Sequence, residues 1–559
     1  MRSFLFTVLL ALLSNLVFTK SVIPRQAPKA SLHKRQTTIK GQAFPSLIDV
    51  TLDDLVSGLE QGLFTSVDLT NAYIQRIREV NSTLHMVTEL NPDALTIAAQ
   101  ADARRASGSV IGPLDGIPIL IKNNIATDDL MNNTAGSYAL LGAKVPQDST
   151  IAARLRKAGV VILGKTNLSQ WANYRSNNST NGWSAYGGQT FAAYYPEEDP
   201  SGSSSGSGVS SSIGLALASL GTETSGSILS PSDVNNLVGI KPTVGLTSRY
   251  LVVPISEHQD TIGPMARTVK DAAYLLQAIA GADPNDNYTS AIPNNGSIPD
   301  YVAACDLSAL EGKRIGIARN VIDLFSDSTS GPVLSAFDAA VDVIRSAGAT
   351  VIDNTNFTGF EQWLSDNNET LVLNADFLIN LATYFDELTF NPNNLHNLAE
   401  LTNYTHTNPL EDYPDRDTGV WDAALEQGWN NTDPRFWPAY QANLYYGGEG
   451  GILGALSRNN LDAILLPTQF SPSIPALVGS PVVTVPMGFY PSNTTVGLNR
   501  RRTLVETGPQ IPFGLSFLGA KFSEAQLVGY AYAYEQRTHI RDQVQPVIVP
   551  NIELEDVVA

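Results

Sequence analysis

"PSGSSSGSGVSSSIGLALASLGTETSGSILSP", residues 200–231, is the stretch whose reading decides the fold. Its first half has the composition of a flexible linker. A Gly/Ser linker, however, stays polar along its whole length. Here the polar run gives way to Ile213, Leu215, Leu217 and Leu220, which need burial, and a second tight turn, GTETSGS, follows before Ile228. Glycine lets backbone approach where a Cβ would not fit. Two glycine/serine turns flanking a buried segment therefore point to backbone lying close to a ligand. The segment belongs to a core, and its serines are candidates for chemistry.

Outward from this stretch the chain alternates between two periodicities. TLDDLVSGLEQGLFTSVDLTNAYIQRIREV reads as two helices, with Thr51 and Ser66 as N-caps and Leu52, Leu55, Val56 and Leu59 at helical spacing. GIPILIKNNI is a short apolar strand that ends in polar residues. STIAARLRKAGVVILGKTN is a helix, a stop at Gly159 and a strand at 160–163. GKRIGIAR, ATVID, LDAILLPT, PVVTVPMGF and FGLSFLGA are further strands. Helices lie between several of them, for example at 333–347, and SEAQLVGYAYAYEQRT opens with a Ser523/Gln526 capping-box pattern. Strands alternating with helices define an α/β layered fold. Residues 45–545 read as one domain, with an irregular Asn-, Asp- and aromatic-rich insertion at about 285–460 that shapes a pocket rim. Residues 546–559 form a tail.

Composition narrows the function. The chain has 559 residues, 43% hydrophobic and 16% charged, with a net charge of −19. Such an acidic chain with no Lys/Arg stripe is a poor ligand for nucleic acid or anionic lipid. Residues 1–20 read as a secretory signal, with Arg2 before an apolar stretch from Phe4 to Phe18 that is too short for a membrane span. A polar lead-in, 21–44, carries the dibasic pair Lys34-Arg35, a candidate processing point that would make it a propeptide. Cys305 is the only cysteine, so no internal disulfide forms. Glycosylation sequons begin at Asn81, Asn132, Asn177, Asn287, Asn295, Asn356, Asn368, Asn403, Asn430 and Asn493, which suits a secreted glycoprotein. The Asn167 sequon, just after an apolar strand, is the least suited to carry sugar. The sequence carries no reading of oligomeric state.

A nucleophilic serine needs a base. The six histidines (His33, His85, His258, His396, His406 and His539) stand in no telling context, and no H-E-x-x-H or histidine cluster points to a metal. Gly202-Ser203-Ser204-Ser205-Gly206 matches the G-x-S-x-G elbow of α/β-hydrolases, which would make Ser204 the nucleophile of an esterase with His539 as base. The elbow requires an apolar strand directly before it, and FAAYYPEEDPS is a poor one. Lysine is the other base, and it works when burial keeps it neutral. Lys122 ends the run Ile117–Ile121. Lys165 follows Val161-Ile162-Leu163. Sequence physics leaves both open.

DGIPILIKNNI, TAGSYALLGA, LRKAGVVILGKTN, PSGSSSGSG, GTETSGSILSP, VGIKPTVGLTSR and DTIGPMARTVKDAA occur in the order found in the amidase signature family, which the chain resembles over roughly 45–540. GTET and SGSSSGSG are most similar to its peptide amidase branch. The resemblance implies one large domain with a mixed twisted β-sheet covered by helices on both sides. It implies Lys122 as base, Ser227 as nucleophile and Ser203 as the bridging serine after a cis peptide, the two serines 24 positions apart (227 − 203). Ser204 falls on the second serine of the family pair, and Thr222 would bond the bridging serine. Backbone N–H groups of Thr224, Ser225, Gly226 and Ser227 would hold the oxyanion. Asp260 reads as structural.

These assignments imply hydrolysis of a small-molecule or peptide amide through an acyl-enzyme, with release of ammonia or an amine and with no metal or organic cofactor. The family also contains a tRNA amidotransferase subunit, against which the secretory signal argues. A catalytically silent binding glycoprotein is the third reading, and the intact lysine and serines oppose it. The chain departs from the family in carrying Glu223-Thr224-Ser225-Gly226-Ser227 where Asp-x-Gly-Gly-Ser is frequent. It also carries Leu229 and Ser230 where members that take anionic acyl groups carry arginine, so a neutral amide fits better.

Overall fold

The computed structural model describes residues 38–39, 42–327 and 329–558. The signal segment, the Lys34-Arg35 pair and His33 lie outside the described residues. The chain divides into two units, 1–43 and 44–559. Of the first, the described part is a two-strand antiparallel pair, Thr38–Ile39 with Gln42–Ala43.

The second unit is built on one eleven-stranded sheet. In chain order its strands are β1 (Val87–Leu90), β2 (Pro118–Lys122), β3 (Val161–Thr166), β4 (Ala218–Glu223), β5 (Val238–Lys241), β6 (Thr261–Ala266), β7 (Arg314–Ile317), β8 (Thr350–Ile352), β9 (Ala463–Pro467), β10 (Val482–Phe489) and β11 (Pro512–Leu518). Their order across the sheet is β8-β7-β9-β11-β10-β5-β6-β4-β2-β3-β1. β4, β2 and β3 run parallel, as do β8, β7 and β9, and the remaining pairs are antiparallel. Every residue of β2, β3 and β4 is buried. That explains their near-continuous apolar character, because a strand covered on both faces shows no alternation.

The two N-terminal helices occur where the periodicity places them, at Leu52–Glu60 and Ser66–Leu84. Thr51 caps the first as expected, but the second is capped by Thr65 and not by Ser66. The Thr65 hydroxyl accepts from Asp68 N–H (3.0 Å) and the Asp68 carboxylate accepts from Thr65 N–H (2.8 Å), a reciprocal capping box. Ser66 instead donates its hydroxyl to Gly116 O (2.5 Å). The Ser523/Gln526 box also fails to form: Ser523 Oγ donates to Ala520 O (2.7 Å) and caps nothing.

The segment read as irregular holds several helices, among them Asn368–Asp386, Leu398–Thr407, Gly419–Gln427 and Phe436–Gly447. The first three join around a satellite apolar cluster that includes Phe377, Leu381, Tyr384, Leu401 and Trp421. Trp421 is fully buried, meets Trp171 edge-on at 5.8 Å and donates its indole N–H to Tyr174 O. This cluster fixes the helices beside the central sheet, since a buried aromatic contributes the largest apolar area of any side chain. Residues 546–558 lie on the body: Leu554 is buried, and Glu553 accepts from Leu47 N–H (2.7 Å) and pairs with the buried Arg76 (3.3 Å). Among the described residues no helix is long and apolar enough to cross a membrane.

Candidate active site

The C-terminal ends of the parallel strands β2 and β4 carry Lys122 and Thr222, and the ladder that pairs Ile121 with Leu220 sets them beside each other. Ser203 and Ser204 arrive at the N-terminus of the helix Ser205–Ser212, which leads back into β4. Ser227 sits in the turn that leaves β4 and enters the helix Leu229–Val234. The opening stretch is therefore one strand with a helix before it and a helix after it, and both glycine/serine turns fall at the same end of the strand.

Lys122 is completely buried. Its Nζ lies 2.8 Å from Ser203 Oγ, 2.9 Å from Ser204 Oγ, 2.9 Å from Thr222 Oγ1 and 3.2 Å from Thr222 O. Among the described residues no carboxylate stands within ion-pair distance of it. Burial pulls its pKa down to about 7, against a smaller upward pull from Glu223 and Asp260. A neutral amine offers two N–H donors and one lone pair. The Ser204 hydroxyl is already engaged, since it donates to Thr222 O (3.1 Å) and accepts from Thr222 N–H (3.2 Å). Ser203 Oγ has Lys122 as its hydrogen-bond partner among the described residues. Thr222, expected to bond the bridging serine, bonds Lys122 and Ser204 instead, and the Ser203 proton is free to meet the lysine lone pair.

The Gly202–Ser203 peptide is cis. A Cβ on Gly202 would fall 2.5 Å from Ser169 Oγ, so any larger residue would have to displace that hydroxyl, which accepts from Gly182 N–H (2.9 Å). Lys165, the other lysine left open by sequence, is equally buried and also drawn to about 7 by burial. It reaches Ile125 O (2.5 Å) and Asn133 Oδ1 (2.8 Å) and, among the described residues, no serine hydroxyl.

Ser227 is 7% exposed, and its Oγ makes no hydrogen bond among the described residues. Its carbonyl accepts from Ser204 N–H (3.1 Å), which ties the two serine turns together. Glu223, buried at the end of β4, organises the turn: one oxygen accepts from Gly226 N–H (2.8 Å), the other from Ile228 N–H (2.7 Å) and Leu229 N–H (2.9 Å). The left-handed conformation falls on Gly226 (φ +85°) and not on Ser225. Gly226 N–H is therefore committed to Glu223, while among the described residues the N–H groups of Thr224, Ser225 and Ser227 have no acceptor.

Three residues complete the geometry: Asn124, which sequence reasoning passed over, Glu223, which it noted only as a departure from the family, and Asp260, which it read as structural. Glu223 braces the turn. Asn124, two residues past Lys122, donates from Nδ2 to Thr222 Oγ1 (3.0 Å). Asp260 accepts from Thr224 Oγ1 (2.6 Å) and from the N–H groups of Ile255 (2.7 Å) and Ser256 (3.0 Å), and burial raises its pKa to about 6. A cavity of about 360 Å³ opens beside this cluster, lined by Asn124, Thr222, Thr224 and Asp260 on one side and by Asn380, Thr383 and Tyr384 of the helix Asn368–Asp386 on the other.

The esterase pairing does not assemble. Ser204 is fully buried with its hydroxyl engaged, while the exposed His539, at the end of the helix Glu524–Thr538, lies 3.9 Å from Asp542, and among the described residues no hydrogen bond joins His539 to Ser204. Of the sequon asparagines, Asn177, Asn287, Asn295, Asn403 and Asn493 are exposed, and Asn81, Asn132, Asn356, Asn368 and Asn430 are half-buried. Asn81 and Asn132 bind Val87 and Glu89 through their amides, and Asn167 is fully buried.

A helix-covered mixed sheet with a buried lysine between two serine turns defines a hydrolase of the amidase signature fold. The Amidase family model matches residues 68–528, and the chain belongs to that family. It is an amidase, a hydrolase of amide C–N bonds. A protein of Arthroderma benhamiae described as an amidase is 56% identical over 534 residues, covering 92% of this chain and 89% of its own. The native peptide amidase of Stenotrophomonas maltophilia superposes with a TM-score of 0.79 at 38% identity, covering 90% of this chain and 99% of that one. The peptide amidase PAM has also been solved with the competitive inhibitor chymostatin, at the same TM-score and identity over 89% of this chain and 99% of that chain.

Proposed function

We propose that this amidase is secreted and cleaves carboxamides without an anionic acyl group, including peptide amides, through a Ser227–Ser203–Lys122 relay. The observation that carries the reading is the buried Lys122 amine, without a carboxylate partner among the described residues and 2.8 Å from Ser203 Oγ. As substrate seats, Ser203 accepts the Ser227 proton and passes its own to Lys122 Nζ. Ser227 Oγ forms a bond to the carbonyl carbon, and the C=O electron pair moves to oxygen. The N–H groups of Thr224, Ser225 and Ser227 stabilise that oxyanion. Collapse breaks the C–N bond, and the relay returns the proton to the leaving nitrogen, which departs as ammonia or an amine. Water then attacks the Ser227 ester, gives its proton to the relay, and releases the acid with regeneration of the Ser227 hydroxyl. Ser204 and Thr222 orient the lysine, and Asp260 orients Thr224.

Fluorophosphonate labelling tests the nucleophile. The adduct is expected on Ser227, and Ser227→Ala should abolish labelling while Ser204→Ala retains it. An adduct on Ser204 would overturn the relay. Ammonia release across carboxamides, peptide amides and anilides tests the substrate class. Secretion is supported by the N-terminal apolar stretch and by exposed sequons such as Asn403 and Asn493. Expression of the full chain in a eukaryotic host should place it in the medium with a mass that endoglycosidase lowers.

A further inference from the structure

The cavity lined by Asn124, Thr222, Thr224 and Asp260 is richer in acceptors than in positive charge. Its one lining cation, Arg249, is held by Asp286 through a two-point contact (2.8 and 2.5 Å) and stacks on Tyr288. Glu257 and Glu387 also line it, and among the described residues neither has a Lys or Arg within ion-pair distance. Glu257 accepts from Asn431 Nδ2 through one oxygen only (2.7 Å), and Glu387 accepts from the Tyr250 hydroxyl (3.3 Å) at the exposed mouth. Behind Glu257, Asp376 is buried and satisfied by His258 (2.8 Å), Ser256 (2.5 Å) and Asn431 (3.0 Å).

A second observation points to the same kind of ligand. Asn124 lines the cavity at 2% exposure, and among the described residues its Oδ1 has no hydrogen-bond partner, although its Nδ2 is fixed by Thr222. A buried acceptor left without a donor is costly unless a ligand supplies one. Carboxylates lining a cleft with low-dielectric walls concentrate field and attract cations.

We propose that the cavity selects carboxamides that carry a positive charge on the acyl side, with Glu257 and Glu387 reading that charge and Asn124 Oδ1 accepting a substrate N–H. This rests on the amidase reading and names the substrate class within it. A lysine-type side chain suits the site: its stem covers the apolar wall at Leu251–Ile255 while its ammonium reaches the carboxylates.

The experiment compares kcat/KM for Nα-acetyl-lysinamide, Nα-acetyl-norleucinamide and the α-amide of Nα-acetylglutamate on the full-length enzyme at about pH 8, where a free lysine side chain is charged. At low ionic strength the lysinamide should exceed the norleucinamide by about tenfold, with the glutamate amide slowest, and the gap should narrow as salt is added. Glu257→Gln and Glu387→Gln should each lower the lysinamide-to-norleucinamide ratio. A ratio at or below one in the wild-type enzyme overturns the proposal and leaves the amidase reading standing. A ratio insensitive to salt and to both glutamine variants overturns the assignment to these carboxylates. Absence of ammonia from all three amides overturns the amidase reading beneath it. The wild-type ratio and its salt dependence decide the matter even if a variant fails to fold.

Discussion

Lys122 and Lys165 stand at the ends of neighbouring parallel strands, both fully buried and both lowered to about 7 by burial. By charge alone they are equivalent bases. Their partners separate them. Lys122 faces three hydroxyls, one of which has no other partner among the described residues. Lys165 faces a backbone carbonyl and an asparagine amide oxygen, neither of which has a proton to give. A shifted pKa marks a buried amine, and only the proton donors around it make it a general base.

The largest expected effect comes from the nucleophile that only the Lys122 side serves. Ser227→Ala should lower kcat by about 10^5-fold or more, measured as ammonia release, since removing the attacking atom leaves only binding and the oxyanion turn. Lys122→Met should cost about 10^3 to 10^4-fold, the upper range for a lost general base. Lys165→Met should leave kcat within about threefold and instead lower stability by about 1–3 kcal/mol, because Ile125 O loses the Lys165 donor and Asn133 Oδ1 keeps only Thr127 N–H (3.0 Å). Equal losses of kcat in two well-folded lysine variants would break the comparison. Circular dichroism and thermal melting establish the folding of each.

The pH profile sharpens it further. Below about pH 7 the Lys122 amine holds a proton and cannot take one from Ser203, so kcat/KM should fall toward acid with an inflection near 7 and be level above it. That inflection should persist in Lys165→Met. An inflection that moves with Lys165 would assign the titration to the wrong lysine. The smallest effect is expected from Thr224→Val, which removes the hydroxyl that Asp260 accepts but keeps the Thr224 N–H. A drop of about threefold to tenfold in kcat with little change in KM would mark a positioning role.

Much of this was legible in the residues, and the rest was hidden for identifiable reasons. The seven strands read from apolar runs all occur, because runs such as PILIK and AILLP have no other way to bury themselves. β4, β5 and β6 escaped as strands because ASLGTE, VGIK and TIGPMA carry glycine or proline, which lower strand propensity. The sheet demands them there: a Cβ on Gly263 would lie 1.9 Å from Ile240 O. The helices of the 285–460 region were masked by asparagine and aspartate, which favour turns locally, while residues far apart in sequence, such as Trp171 and Trp421, supply the packing. The commitment of Gly226 N–H to Glu223 depends on side-chain reach across a turn, which no spacing records.

Tyr384 and Asn380 illustrate a division of labour. They belong to a helix whose apolar side is anchored in its own cluster around Trp421, yet they line the same hollow as Thr222 and Thr224. The outer wall of the hollow is thus held by packing separate from that of the strand ends carrying Lys122 and Thr222. A substitution on that helix can reshape the hollow without disturbing the sheet that positions the lysine.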